Sequence, residues 1–406
     1  MITRRASLMA VAAPQQRKVE REVFLRSPGK GVAVMSMAYY TKKSGGEMTS
    51  IEERWSRSDT IDVAFIRRSS DYGKTWSTSI ERRTGEKTAA GMMRRHLRGG
   101  WVDPRTGRLI EYWLEGVLPN DDPLEGLRQW RIYYSVNGGP THQMIHKGAQ
   151  YDERHWLPDV VTGQNCAMIG ERTCLPIARK DGAILWPLAI SPKTADGKLY
   201  NPGGGYTYHN TGVVISKWRG DKLEFEMGQP IIADPVRTTR GLDEAVIAHL
   251  SKDRLILIMR GSNDRKPELP SWRWISTSSD GGYTWTSPTP WTFNDKSTFY
   301  SPSACSQLIN HSDGKIYWIG NITPENPRGN RPRYPLVIGE VDQDTGLLIR
   351  GSLRTVDDKA PNEDPILTLS NFYAREDRQT KGIAVHMTRL FALPNGWEGD
   401  AFLYRL

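Results

Sequence analysis

One eight-residue pattern occurs twice, far apart in the chain. Ser69-Ser70-Asp71-Tyr72-Gly73-Lys74-Thr75-Trp76 and Ser278-Ser279-Asp280-Gly281-Gly282-Tyr283-Thr284-Trp285 share the form S-S-D-x-G-x-T-W. A weaker copy, Ser135-Val136-Asn137-Gly138-Gly139-Pro140-Thr141-His142, keeps the turn and loses the Trp. Starts at 69, 135 and 278 fit a period of about 70 residues, with one further copy decayed near position 207. Just under six such units fill the 406 residues.

The chemistry of the pattern identifies the unit. Each full copy follows a β-branched or aromatic run, Val63-Ala64-Phe65-Ile66 or Arg273-Trp274-Ile275-Ser276. A strand therefore leads into a tight Asp/Gly turn in which the Asp accepts amide hydrogen bonds, Gly supplies a positive φ and Trp covers the hairpin. These are fold-stabilising roles. Further turn signals stand beside strand-like runs at Asp103-Pro104-Arg105-Thr106-Gly107, Lys180-Asp181-Gly182, Ala195-Asp196-Gly197, Ser312-Asp313-Gly314 and Asp342-Gln343-Asp344-Thr345-Gly346. No long amphipathic helix interrupts them. Short strands repeating in four-stranded units predict an all-β, six-bladed β-propeller of antiparallel blades spanning 19–406 as a single domain, after an N-terminal tail of residues 1–18. Two β-sandwiches would leave the period unexplained.

Composition narrows the partners. Lys and Arg number 55 against 46 Asp and Glu, a formal charge of +9. The excess is dispersed in pairs such as Arg67-Arg68, Arg82-Arg83 and Arg94-Arg95 rather than gathered into runs, which argues against nucleic acid and for an anionic small molecule or a glycan, such as an acidic oligosaccharide or polysaccharide. No apolar run approaches a membrane span. Cys166, Cys174 and Cys305 have no metal-ligand spacing, so buried free thiols, no metal and no cofactor are expected. Residues 1–13, with Arg4-Arg5 followed by a short apolar stretch, suggest a truncated export signal and favour a secreted or periplasmic protein over a cytoplasmic one.

Beyond the turns, the chain resembles the sialidase (neuraminidase) superfamily, whose propellers carry such Asp-boxes (BNR repeats). Phe24-Leu25-Arg26-Ser27-Pro28 precedes the first strand, where sialidases place a carboxylate-binding Arg. Ser58-Asp59-Thr60-Ile61-Asp62-Val63 runs into the first box, as does the sialidase segment bearing the acid/base Asp. Leu242-Asp243-Glu244-Ala245-Val246, followed sixteen residues after Glu244 by Arg260, is similar to the sialidase Asn-Glu-x-x-Val segment and its Arg-bearing strand. Arg333, with Arg331 as rival, matches the third Arg. The resemblance implies an exo-α-sialidase-like glycoside hydrolase in which Arg26, Arg260 and Arg333 clamp a substrate carboxylate. Glu244 would be base or orienting group and Asp59, with Asp62 as rival, acid/base. The sequence departs from the family at Thr368-Leu369-Ser370-Asn371-Phe372-Tyr373: Leu369 stands where the Tyr nucleophile is expected, and Tyr373 lies about 13 Å further along an extended strand.

A second constellation supports an alternative. The Gly-rich stretch Tyr200-Asn201-Pro202-Gly203-Gly204-Gly205-Tyr206-Thr207-Tyr208-His209 offers Tyr208 and His209 as an acid/base pair, and Arg94-Arg95-His96-Leu97-Arg98 offers His96 among arginines. These residue types fit a propeller polysaccharide lyase, or an atypical glycosidase, acting on uronate glycans without a Tyr at position 369. A non-catalytic glycan-binding propeller is the third reading.

Overall fold

The computed structural model describes residues 19–123, 130–144, 167–192, 194, 200–205, 207–392 and 396–406. The tail 1–18, Cys166, the turn at 195–197 and Tyr206 lie outside them. The chain opens with β1 (Glu20–Leu25), whose partner comes last. Blade 1 is β2 (Ala33–Tyr40), β3 (Met48–Trp55), β4 (Val63–Ser69) and β5 (Ile80–Arg82). Blade 2 is β6 (Gly85–Thr88), β7 (Gly91–Val102), β8 (Leu109–Leu118), β9 (Arg131–Val136) and β10 (Thr141–Gln143). Blade 3 is β11 (Ala167–Met168), β12 (Ile177–Ala178), β13 (Ile184–Ile190), β14 (Asn210–Arg219) and β15 (Lys222–Met227). Blade 4 is β16 (Asp243–His249), β17 (Leu255–Arg260), β18 (Arg273–Ser278) and β19 (Thr289–Pro290). Blade 5 is β20 (Gln307–Asn310), β21 (Ile316–Asn321), β22 (Leu336–Val341) and β23 (Arg354–Asp357). Blade 6 is β24 (Phe372–Glu376), β25 (Ile383–Thr388) and β26 (Ala401–Arg405), completed by β1, which pairs antiparallel with β26 from Glu20↔Arg405 to Leu25↔Ala401. The fold is the six-bladed propeller that the repeat predicts. Joining its first strand to its last blade ties the two ends of the ring together, and the short outer strands leave only short edges at the rim.

The apolar runs explain why blades stack. In β13, ILWPLAI, Trp186 and Leu188 pack with Ile110, Tyr112 and Leu114 of blade 2, while Leu185 packs with Leu255 and Leu257 of blade 4. In β17, LILIMR, Leu255, Leu257 and Met259 face blade 3 while Ile256 and Ile258 face Trp291 and Trp318 on the blade 5 side. A strand sandwiched between two neighbours needs apolar residues on both faces, so continuous runs replace alternation. Comparable clusters join blade 5 to blade 6 and blade 6 to blade 1.

The Asp-boxes fill one structural position, the hairpin between third and fourth strands. Asp71 Oδ1 accepts from Thr75 N at 2.9 Å and Ser69 Oγ at 2.8 Å, and Oδ2 accepts from Thr75 Oγ1 at 2.6 Å. Asp280 repeats the arrangement with Thr284 N (3.0 Å), Ser278 Oγ (2.8 Å) and Thr284 Oγ1 (2.6 Å). These bonds hold the Asp71 carboxyl down at about 2. The weak copy at Asn137-Gly138 joins β9 to β10, with φ 49° and 70°. The decayed copy is not near 207: the matching hairpin of blade 3 is Arg219-Gly220-Asp221-Lys222, because long connections between blades 2 and 3 and within blade 3 make the intervals uneven. All these turns lie at the lower end of the propeller. At the upper end the innermost strands begin.

Candidate active site

β16 begins at the upper end with Asp243 and Glu244, and β17 ends there with Arg260, which pairs in register with Asp243. A bulge between Asp243 and Val246 breaks the ladder, and Glu244 adopts φ 44°. For a residue with a Cβ this left-handed backbone costs on the order of 1 kcal/mol. The kink turns the carboxylate inward, where Glu244 is 8% exposed. Arg260 Nη1 forms an ion pair with Glu244 Oε1 at 2.8 Å, and Nη2 donates to Asp243 Oδ2 at 3.1 Å. His209 Nδ1, 1% exposed at the head of β14, lies 3.2 Å from the same Asp243 oxygen.

The two adjacent carboxylates have opposite electrostatics. Burial pushes the Asp243 pKa up, but His209 and Arg260 outweigh it and hold Asp243 ionised, well below the usual carboxylate range. For Glu244 burial wins: opposed by Arg260 and Arg333 and reinforced by Asp243 and Glu171, it carries the pKa to about 7. Its Oε2 is buried with no hydrogen-bond partner among the described residues. A carboxyl that keeps its proton to higher pH than usual, with one oxygen uncommitted, is suited to give up a proton.

Glu171 is the second carboxylate, and sequence reasoning missed it. The innermost strand of blade 3 is split: β11 pairs with the end of β13 and β12 with its beginning, and residues 169–176 leave the ladder between them. This segment crosses the axis. Arg98 of blade 2 donates Nε to Ile169 O and Nη2 to Gly170 O, both at 3.1 Å. Arg172 Nη2 donates to Glu53 Oε2 of blade 1 at 2.7 Å, and Leu175 packs with Met37, Tyr39 and Tyr373. Gly170 lies directly on Glu244, where a Cβ would come within 2.8 Å of Glu244 Cγ, so glycine is needed for this approach. The only hint in the sequence is a charged pair, Glu171-Arg172, inside an otherwise apolar stretch from Ala167 to Ala178.

Three further arginines surround the pair. Arg333 donates Nη1 to Ser370 Oγ at 3.2 Å and Nη2 to Ser303 O at 3.1 Å, leaving Nε unpartnered. Arg273, fully buried on β18, donates Nε to Ser301 Oγ at 2.9 Å and Nη2 to Ala304 O, and burial lowers its pKa to about 10. Arg240 Nη2 donates to Thr207 Oγ1 at 2.8 Å. Cys305 lies in the same field, and burial pushes its thiol up to about 12, so it is an inert sulfhydryl. Cys174 and Cys305 are both buried free thiols.

The structure brings Glu244, Arg260, Arg333 and His209 of the expected residues to this cluster. Arg26 is elsewhere: it follows β1, the outermost strand of blade 6, its side chain is 79% exposed, and it pairs with Asp400 at 3.0 Å. Asp59 is exposed in the β3–β4 connection at the upper end and bonded to Ser58 Oγ, while Asp62 accepts from Ser56 N. Arg331 is exposed. His96 packs against Trp130 at 4.5 Å and burial drives its pKa far down, so it is a neutral core ring. Tyr208 belongs to the blade 3–4 core and donates to Ala233 O at 3.0 Å, which separates it chemically from His209. The glycines beside it serve packing, since a Cβ at Gly203 would meet Thr239 O at 1.9 Å. Leu369 is wholly buried in the blade 5–6 core and Tyr373 is buried beside Tyr39, so neither position supplies a Tyr nucleophile. Among the described residues no group of three or more His, Cys, Asp or Glu could hold a metal ion, and no helix is long and apolar enough to cross a membrane.

No protein-family model matches the chain, and no curated protein matches it. Solved structures do. A protein of unknown function from Dyadobacter fermentans superposes with a TM-score of 0.58 at 15% identity, covering 96% of this chain and 98% of that one. A Hadza microbial sialidase gives 0.58 at 14% identity over 92% of this chain and 65% of its own. An α-L-arabinanase from Penicillium chrysogenum, complexed with arabinobiose, gives 0.54 at 12% identity over 94% and 96%. At these identities the likeness is one of fold, shared with propellers that include glycoside hydrolases.

Proposed function

We propose that the protein is a glycoside hydrolase in which Glu244 is the general acid and Glu171 the partner carboxylate. The observation that carries this reading is the buried, strained Glu244 carboxyl, raised to about 7, with one oxygen uncommitted and Glu171 on the segment packed against it. Hydrolysis breaks a glycosidic C–O bond. Glu244 gives its proton to the departing oxygen as the C–O bond breaks, Glu171 stabilises the positive charge at the anomeric carbon, and the attacking water supplies the new hydroxyl and returns its other proton to Glu244. Asp243, kept ionised by His209 and Arg260, holds Arg260 against Glu244.

The substrate is an uncharged glycan of the arabinan kind rather than a sialoside. Both terminal nitrogens of Arg260 are committed to protein carboxylates and Arg26 is on the rim, so the three-arginine clamp has only Arg333 to offer. The likeness to an arabinanase along nearly the whole of both chains supports the same choice by analogy of fold. The test is release of reducing sugar from arabinan and aryl α-L-arabinofuranosides, run beside sialosides and uronate polysaccharides. Release from the arabinose substrates that Glu244→Gln abolishes and Asp59→Asn spares is expected. Free sialic acid, with Arg26 and Asp59 essential, would restore the sialidase reading, and a product absorbing near 235 nm would restore the lyase.

A further inference from the structure

The segment 169–176 has no ladder of its own, yet it must hold Glu171 beside Glu244. We propose that Arg98 and the Glu53–Arg172 ion pair are positioning residues that pin this segment across the propeller axis and so set the placement of the Glu171 carboxylate. The inference rests on the two-carboxylate reading of the site.

The contacts are specific. Arg98 grips consecutive carbonyls, Ile169 O and Gly170 O, immediately before Glu171. Arg172, immediately after it, is anchored to Glu53, and both side chains are almost completely buried at 2% and 0% exposure. Glu53 is steadied by Trp55 Nε1 at 3.2 Å. Glu171 is thus flanked by anchors to blade 2 and blade 1, while among the described residues its own carboxylate accepts only from the Arg172 amide, at 3.3 Å. A buried ion pair gains little net stability over apolar residues of similar size, so a positional role is the better explanation of a charged pair spanning the axis.

The charged and titratable groups facing Glu244 are Arg260, Asp243, Glu171 and Arg333, with Arg240, Arg273, Cys174 and Cys305 also coupled to it. Among these Glu171 belongs to the pinned segment, and its negative charge holds the Glu244 proton on. Releasing the segment must therefore move Glu244 towards lower pH. The experiment titrates the Glu244 carboxyl by 13C NMR in glutamate-labelled full-length protein, with the resonance assigned by its loss in Glu244→Gln. Glu171→Gln, Arg98→Lys and the double variant Glu53→Leu/Arg172→Met are compared with wild type, the last chosen because an apolar pair keeps the interior packed. The expected result is a lower Glu244 midpoint in all three with an unchanged Tm, and no further shift when Arg98→Lys is added to Glu171→Gln. An unchanged midpoint in Arg98→Lys and in the double variant, with Glu171→Gln lowered, would overturn the positioning role. No shift even in Glu171→Gln would overturn the pairing of the carboxylates itself. Shifts without hydrolysis of any glycan would uphold the positioning and refute the hydrolase reading.

Discussion

The two ends of the propeller solve opposite problems with the same residue types. At the lower end Asp71 and Asp280 sit in hairpins where every carboxylate oxygen accepts hydrogen bonds from the turn around it. At the upper end Glu244 is buried on strained backbone with Oε2 unpartnered, and its neighbourhood contains Arg333 Nε and His209 Nε2 in the same state. A fully satisfied carboxylate that recurs in two blades stabilises the fold. One that occurs once, unsatisfied and with its pKa displaced upwards, is on the proposed reading a cost the fold tolerates for chemistry.

Substitutions should therefore separate the two ends. The largest effect is on rate: Glu244→Gln lowers kcat on the natural glycan by about 10²–10⁴ while the protein stays folded, as measured by sugar release and circular dichroism. Next is the pH dependence of stability. The folded-state pKa of Glu244 lies above its ordinary 4.5, so folding favours the protonated form. Its stabilising contribution is complete below about 4.5 and is lost as pH rises through about 7. Denaturant melts should show Glu244→Gln gaining on wild type across that window and no further above it. At the lower end, Asp280→Ala should cost about 1–2 kcal/mol of stability, reduced from the full hydrogen-bond value by solvent exposure, with kcat unchanged. The smallest effect belongs to Arg26→Ala, whose exposed pair with Asp400 is worth less than about 1 kcal/mol, with KM unchanged. A large KM increase there would break the contrast in favour of a carboxylate clamp.

The same contrast explains what was legible beforehand. Box chemistry is local, since Ser, Asp, Gly, Thr and Trp within eight residues make the whole hairpin, so the propeller and its blade number follow from the repeats. Glu244 and Arg260 were also visible, because one hairpin carries both and register aligns their ends. Glu171 was not: its role depends on a strand that breaks and crosses the axis, held by Arg98 and Glu53 from blades 70 to 120 residues away. His96 and Tyr208 erred the other way. Residue type suggested chemistry, but strand parity turns His96 against Trp130, and the connection leading into β14 buries Tyr208 in the blade 3–4 core. Arg26 followed a resemblance in order along the chain, and the closure of blade 6 by β1 carries that order to the rim.

The most direct test of Glu244 as proton donor compares leaving groups. Wild type and Glu244→Gln are assayed on two glycosides of the same sugar, an aryl one whose dinitrophenolate departs without a proton and an alkyl one whose alcohol requires it. The proposed role predicts a loss of about 10²-fold or more on the alcohol substrate and a far smaller loss on the activated one. Equal losses on both would contradict it.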